Sequence, residues 1–101
     1  MNNLKELEKF FGLHFKNKQL LETALTHSSY ANENHKESNE RLEFVGDAVL
    51  DLIMGKYLYE ENKHYNEGDL TKKRAKYVCE AALVEYAKAC DLGKFLLLGH
   101  G

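Results

Sequence analysis

The sequence contains no proline and no tryptophan, and only two of its 101 residues are cysteines. Without proline nothing forces a break in a helical pattern, and most glycines lie where helices would end, so helices should dominate. On one helix, Cys79 and Cys90 would lie about 16 Å apart, too far for a disulfide. Neither has a partner at zinc-ligand spacing, so we expect reduced, buried thiols.

Long apolar runs are also absent. None approaches the roughly 20 residues of a membrane span, and the N-terminus lacks the basic-then-apolar layout of a signal peptide. We therefore expect a cytoplasmic protein with no membrane contact. Hydrophobic residues make up 44% and charged residues 30%, which is typical of a globular domain. The net charge of −2 excludes a strongly basic field that would hold nucleic acid unaided.

Apolar spacing predicts one all-α domain over residues 1–101. Polar residues 26–38 should be irregular, residues 61–68 a loop, and residues 94–98 a short apolar turn. The last predicted helix is either continuous or bent near Cys79. The predicted helices cover residues 3–11 with Gly12 as the stop, Asn17 through Leu25, Ser38 or Asn39 to about Glu60, and about Asp69 to about Cys90.

The long central helix should carry a row of acids on one side. At about 100° per residue, its acids fall within an arc of roughly 80°, and five apolar residues lie opposite, facing a core. Like charges on neighbouring turns cost a few tenths of a kcal/mol per pair, and no cation lies within the arc. A divalent cation would offset that cost; the alternative is an ordinary solvated face. The acids are Glu40, Glu43, Asp47 and Asp51, and the apolar residues are Leu42, Val45, Val49, Leu52 and Ile53.

Glu43 and Asp47 form the most useful pair, because their Cβ atoms would be about 6 Å apart. Two carboxylates suit Mg²⁺, which keeps several waters and binds substrate phosphate, with Mn²⁺ as an alternative. Further acids should come from other helices. Gly46 within a helix costs about 1 kcal/mol relative to alanine, and Phe44 lies outside the apolar face. Both features indicate close approach by a partner chain.

Other polar residues each have two readings. Glu67 is either a supporting acid or a helix N-terminal acid favoured by the dipole. His27 is either a proton carrier or a loop residue that satisfies hydrogen bonds. Asp51 is expected to be solvated. The basic cluster at residues 72–76 is either a phosphate contact or a solvated face.

Residues 39–50, Asn-Glu-Arg-Leu-Glu-Phe-Val-Gly-Asp-Ala-Val-Leu, resemble the signature of the ribonuclease III family. Residues 24–33, 67–75 and 96–101 resemble further family segments in the same order. The resemblance implies the all-α ribonuclease III endonuclease fold. It also implies that Glu43 is a metal ligand, Asp47 a catalytic residue and metal ligand, Glu40 and Glu67 supporting acids, and Phe44 with Gly46 a dimer contact.

The implied activity is hydrolysis of double-stranded RNA by a homodimer in RNA processing, giving 5′-phosphate and 3′-hydroxyl ends. It requires Mg²⁺ or Mn²⁺ and no small-molecule cofactor. The family's second Asp and Glu, and the double-stranded RNA-binding domain that usually follows, are not found in residues 1–101. The catalytic domain is therefore expected to be partial, truncated before its last helices, and poorly active alone. The alternatives are a catalytically incompetent dimerisation or RNA-binding module, and a helical interaction domain with a chance acidic row.

Overall fold

The computed structural model describes residues 2–100, which contain helices and no β-strand. This confirms the all-α prediction. The chain divides into two compact units, one formed by residues up to Glu43 together with those from Leu92 onward, and one by Phe44–Asp91. The elements are α1 (Asn2–Phe11), α2 (Lys18–Ala24), α3 (Ser28–Asn34), α4 (Glu40–Glu61), α5 (Glu67–Val78), α6 (Glu80–Ala89) and a 3₁₀ helix (Leu92–Phe95).

Helix α1 ends where the sequence predicts. Gly12 adopts a left-handed conformation with φ of 66°. Its N–H donates to the carbonyl of Lys9, and the N–H of Leu13 donates to the carbonyl of Glu8 at 2.9 Å. This pair of bonds is the Schellman arrangement, in which glycine accepts the left-handed position without a Cβ penalty.

The core of the first unit forms between α1, α2 and the 3₁₀ helix. Its largest member is Phe95, whose ring centroid lies 6.3 Å from that of Phe11. Each fully buried aliphatic or aromatic side chain contributes about 1.5–3 kcal/mol relative to an exposed one. The buried members of this cluster are Leu4, Leu7, Leu21, Leu25 and Phe95.

Residues 26–38 were expected to be irregular, but they contain helix α3, so that expectation is wrong. His27 caps this helix, because its Nδ1 accepts a hydrogen bond from the backbone N–H of Ser29 at 3.1 Å. Ala31 is its one buried side chain, and His35 ends it with φ of 52°. A helix of seven mostly polar residues shows no apolar period, so the sequence pattern misses it.

In the second unit, the predicted stretch from Asp69 to Cys90 is two helices. Asn66 and Asp69 form a capping box at the start of α5, so the helix begins at Glu67. Cys79 is extended between α5 and α6. Cys79 is exposed and Cys90 half-buried, both with free thiols, so the expectation of burial is wrong for Cys79. Its position at the break between two helices holds it away from any core.

The apolar face of α4 is exposed, contrary to the prediction that it packs into a core. Leu52 is 70% exposed, and Val45, Val49 and Ile53 are also exposed. Leu58, near the C-terminal end, is the buried residue of this helix. Periodicity identifies which face is apolar, but it does not establish what covers that face.

Among residues 2–100, no helix combines the length and the apolar character that a membrane span needs.

Candidate metal centre

Contacts within the first unit fix the beginning of α4. The backbone N–H of Asn39 donates to the carbonyl of Thr26 at 2.9 Å, and its side-chain amide donates to the carbonyl of Ala24 at 3.0 Å. Thr26 is only 1% exposed. The Asn39 side chain therefore anchors the helix start and does not cap it, while Ser38 Oγ accepts from the N–H of Glu40 at 3.4 Å. By position the N-cap of α4 is Asn39, because its carbonyl accepts from the N–H of Glu43 at 2.8 Å, and Ser38 adds only the longer side-chain contact to Glu40.

The same anchor point holds the segment after the 3₁₀ helix. Thr26 and Leu97 form an isolated parallel bridge. The N–H of His27 donates to the carbonyl of Leu97 at 3.0 Å, and the N–H of Leu97 donates to the carbonyl of Leu25 at 2.9 Å. The Thr26 carbonyl thus accepts from the start of α4, while its neighbours Leu25 and His27 bond to Leu97, far along the chain. Sequence reasoning missed both contacts, since neither follows a local pattern.

The row of acids on α4 is exposed and unpaired. Glu40, Glu43, Asp47 and Asp51 are all exposed, and none forms an ion pair with another described residue. By contrast, Lys56 and Glu60, further along the same helix, form an i, i+4 ion pair. Among the described residues, α4 thus carries an ion-paired acid near its C-terminal end, whereas the row of acids near its start has no ion pair.

The helix dipole accounts for only part of this row. Glu40 and Glu43 lie in the first turn, where a carboxylate gains about 0.3–1 kcal/mol from the positive helix end. That gain falls off within the first turn, so Asp47 receives little of it. Asp47 follows Glu43 by one turn and repels it. Both side chains offer carboxylate oxygens, the ligand type that hard cations prefer.

Glu67 is exposed at the first position of α5. Within residues 2–100, no three His, Cys, Asp or Glu side chains lie close enough together to hold a metal ion. Glu43 and Asp47 lie one turn apart on α4. The supporting roles of Glu40 and Glu67 remain predictions.

His27 is engaged in local hydrogen bonds. Besides accepting from the N–H of Ser29, its Nδ1 lies 2.8 Å from Ser29 Oγ. Of the two readings of this histidine, the structure shows the one in which it satisfies hydrogen bonds.

Phe44 and Gly46 lie on the exposed surface of α4. Phe44 is 71% exposed, and a Cβ added to Gly46 would meet nothing within 4 Å. The open space around Gly46 leaves room for another backbone to approach. Their predicted role as a dimer contact is compatible with this exposure and stays a prediction.

Comparison with known proteins decides the family. Residues 17–101 match a family model described as Ribonuclease-III-like, which covers most of the chain. The chain belongs to the ribonuclease III family. Its fold is the endonuclease fold of that family, as the resemblance in residues 39–50 predicted.

Relatives and solved structures of ribonuclease III extend this similarity. The chain is 52% identical over 100 residues to Ribonuclease 3 of Geobacillus sp., covering 96% of this chain and 41% of the relative. It is 49% identical over 104 residues to Ribonuclease 3 of Listeria monocytogenes, covering 100% of this chain and 45% of the relative. The chain thus spans less than half the length of these curated relatives.

Two solved structures of the ribonuclease III nuclease domain from Campylobacter jejuni superpose closely on this chain. One, solved at 2.2 Å resolution, has a TM-score of 0.86 and 44% identity, covering 99% of this chain and 66% of that chain. The other has a TM-score of 0.87 and 43% identity, covering 96% and 66%. The latter study describes flexibility in the region involved in dimer formation of that nuclease domain.

Proposed function

We propose that residues 1–101 are part of the catalytic domain of a double-strand-specific endoribonuclease that acts as a cytoplasmic homodimer in RNA processing. The observation that carries the proposal is the Glu43–Asp47 pair, two exposed carboxylates on consecutive turns of α4 that have no counter-charge within the described residues. Family membership gives this pair a chemical context, because the family's nuclease activity requires a divalent metal.

The donor set fits Mg²⁺ or Mn²⁺. Both side chains offer hard oxygen ligands, and Mg²⁺ is commonly bound through one or two carboxylates while it retains waters. When bound, such an ion supplies charge neutralisation at a phosphate and lowers the pKa of a coordinated water. Glu43 and Asp47 would hold the ion, and Glu40 and Glu67 would add negative potential nearby. The proposed products carry 5′-phosphate and 3′-hydroxyl ends.

Metal binding tests the site directly. Titration of the 101-residue protein with Mn²⁺ should show weak binding that falls about tenfold or more in Glu43→Gln and in Asp47→Asn. Asp51→Asn is the matched control, since it removes a different acid of the same row and should leave the affinity for Mn²⁺ nearly unchanged. An equal loss in all three variants would indicate only a diffuse negative potential and would overturn the assignment.

A cleavage assay on end-labelled duplex RNA tests the activity. Because two carboxylates make an incomplete site, we expect little or no cleavage by residues 1–101, and robust cleavage would overturn that expectation. Any products should carry 5′-phosphate ends, require Mg²⁺ or Mn²⁺, and disappear in Asp47→Asn. Metal-dependent cleavage that survives Asp47→Asn would show that the nuclease activity resides elsewhere. Retained duplex binding together with no detectable binding of Mn²⁺ would favour the non-catalytic RNA-binding module.

A further inference from the structure

A cluster of lysines and tyrosines lies on the second unit, outside the row of acids. It surrounds a surface cavity of about 480 Å³ on α5 and the loop that precedes α5. We call this cluster the lysine–tyrosine patch. Its lining residues are Tyr65, Asp69, Lys72, Lys73, Lys76 and Tyr77.

Lys73 forms the fixed centre of the patch. Its Nζ lies 5.0 Å from the centroid of the Tyr65 ring and 5.9 Å from that of Tyr77. The same Nζ donates a hydrogen bond to Oδ1 of Asn62 at 3.2 Å. A cation between two rings holds both in place, with each cation–π contact contributing about 0.5–1 kcal/mol at an exposed site. Lys73 thus lies against the Tyr65 ring and favours the orientation seen in the structure.

Lys72 and Lys76 are the available charges. Both are exposed, lie one turn apart on α5, and form no ion pair with another described residue. Asp69, the acid of the patch, is directed to the helix start, where its carboxylate accepts from the N–H of Asn66. Three lysines against one acid leave the patch with a net charge of +2. Two uncompensated lysines at this spacing repel each other, and an anionic ligand would relieve that repulsion.

The combination of charge and ring favours RNA over an acidic peptide. The carboxylates of an acidic peptide would pair with the lysines, but they would make no stacking contact with the exposed Tyr65 ring. Tyr65 is 42% exposed although Lys73 lies against it, so part of the ring remains open to solvent. Basic side chains that follow a phosphate backbone beside an aromatic ring that stacks a base are the usual elements of single-strand recognition.

We propose that the lysine–tyrosine patch binds an unpaired segment of RNA, with Lys72 and Lys76 on phosphates and Tyr65 stacked on a base. This deepens the proposed function, on which it rests, because an RNA that carries a duplex also carries loops, bulges or ends. The patch would select duplexes with an adjoining single strand without taking part in hydrolysis.

Binding of a fluorescent oligouridine to the 101-residue protein in EDTA tests this proposal without the metal site. The double variant Lys72→Ala/Lys76→Ala should bind about tenfold or more weakly. It should also lower the slope of log affinity against log salt by about 1.4, since each phosphate contact on single strands contributes about 0.7. Lys5→Ala/Lys9→Ala is the matched control, because it removes two exposed lysines with the same spacing on α1.

Tyr65→Ala tests stacking separately. It should weaken oligouridine binding about 5- to 150-fold, the range that corresponds to a stacking loss of about 1–3 kcal/mol, and leave binding of a blunt duplex unchanged. Tyr59→Ala is the control, because it removes a more exposed tyrosine of α4 that does not line the patch, and it should have no effect. Circular dichroism of each variant establishes that the helices remain intact.

Three results would overturn the proposal: equal losses in the lysine variant and its control, equal effects of Tyr65→Ala on single and double strands, or displacement by polyaspartate as effective as by oligouridine. Each result is independent of Mn²⁺ binding and duplex cleavage. Failure of the patch would therefore leave the proposed nuclease function intact, and failure of the metal site would leave the binding data interpretable.

Discussion

The backbone N–H of His100 donates a hydrogen bond to Oε2 of Glu33 at 2.7 Å, across 67 residues of sequence. Beside it, the N–H of Gly99 donates to Oγ of Ser29 at 2.9 Å. Helix α3 and the segment after the 3₁₀ helix are thereby joined through polar contacts. These two parts of the chain belong to separate stretches that resemble the family, residues 24–33 and 96–101, and the structure shows that they contact each other.

Gly99→Ala should destabilise the first unit. An added Cβ would lie 2.7 Å from the carbonyl oxygen of Ser29 and would also clash with the Glu33 carboxylate. Because the first clash is with backbone, a rotamer change alone does not relieve it. Overpacking of this kind costs about 1–3 kcal/mol, which urea denaturation followed by circular dichroism would measure.

Gly93→Ala provides the control for that prediction, since nothing lies within 4 Å of its added Cβ. It should change the free energy of unfolding much less than Gly99→Ala does. Equal stability of Gly99→Ala and the unmodified chain would mean that the segment after the 3₁₀ helix is not held against α3 in solution.

Gly46→Ala should stabilise the monomer and weaken the proposed dimer, in which another backbone would approach Gly46. Gly46 lies inside α4 and its added Cβ meets nothing, so the helix gains the full propensity difference of about 1 kcal/mol. Ala48→Gly, at an exposed position two residues further, should have the opposite effect of similar size. If thermal denaturation shows Gly46→Ala to be destabilising, a backbone packs at this position and the open surface of α4 is covered in solution.

Phe44→Ala should weaken self-association without changing the stability of the monomer. Phe44 is 71% exposed, so its truncation removes little packing inside one chain. Sedimentation equilibrium at several concentrations would measure the dimer constant. Tyr59→Ala is closely matched, because Tyr59 is also an aromatic on α4 that is 71% exposed. A monomer at every concentration, or equal effects of both variants, would contradict Phe44 as the dimer contact.

Local signals predicted much of the fold. The left-handed Gly12 and the Asn17 cap, whose Oδ1 accepts from the N–H of Leu20, fix the end of α1 and the start of α2 within a few residues. Helix α3 escaped prediction because its stability comes from the His27 cap and buried Ala31, not from an apolar stripe. The break at Cys79 could not be located, since the residues around it are compatible with a continuous helix.

For the candidate metal site, too, the sequence predicted local spacing and missed the contacts between distant segments. Helical spacing alone predicted that Glu43 and Asp47 share one face of α4, and their binding of a cation stays a prediction. It could not show that Asn39 donates to Thr26 and Ala24, because these bonds join segments separated by irregular chain. Nor could it show that Thr26 pairs with Leu97, far along the sequence. Periodicity carries no information about register between distant segments.

Glu8 should make the stability depend on pH. Hydrogen bonds from the Lys18 ammonium and from the Phe15 N–H hold the pKa of Glu8 below its ordinary value of 4.5. A carboxyl group with a lowered pKa stabilises the folded state above the unfolded pKa, and this contribution disappears as the pH falls through the folded pKa. Glu8→Ala should therefore melt below the unmodified protein near neutral pH, with the difference shrinking below about pH 4.5.

Glu6→Ala is the control for Glu8, since Glu6 lies on the same helix, is exposed, and has no ion-pair partner within the described part of the chain. Its melting temperature should follow that of the unmodified protein across the pH range. A Glu8→Ala difference that stays constant down to about pH 3 would show that the contribution of Glu8 comes from packing, not from its charge.

Asp47→Asn should reverse its effect on stability when metal is added. Without a divalent cation, it removes repulsion with Glu43 and Asp51, each one turn away, and should raise the free energy of unfolding by a few tenths of a kcal/mol. With Mg²⁺ at ten times its dissociation constant, binding to the folded state should stabilise the unmodified chain by about 1.4 kcal/mol. The variant, lacking a ligand, should gain much less and become the less stable of the two.

Asp51→Asn is the control: it should show the small gain without metal and keep the stabilisation by Mg²⁺. Urea denaturation at matched ionic strength distinguishes these cases, and if the order does not reverse, Asp47 is a solvated acid and not a ligand.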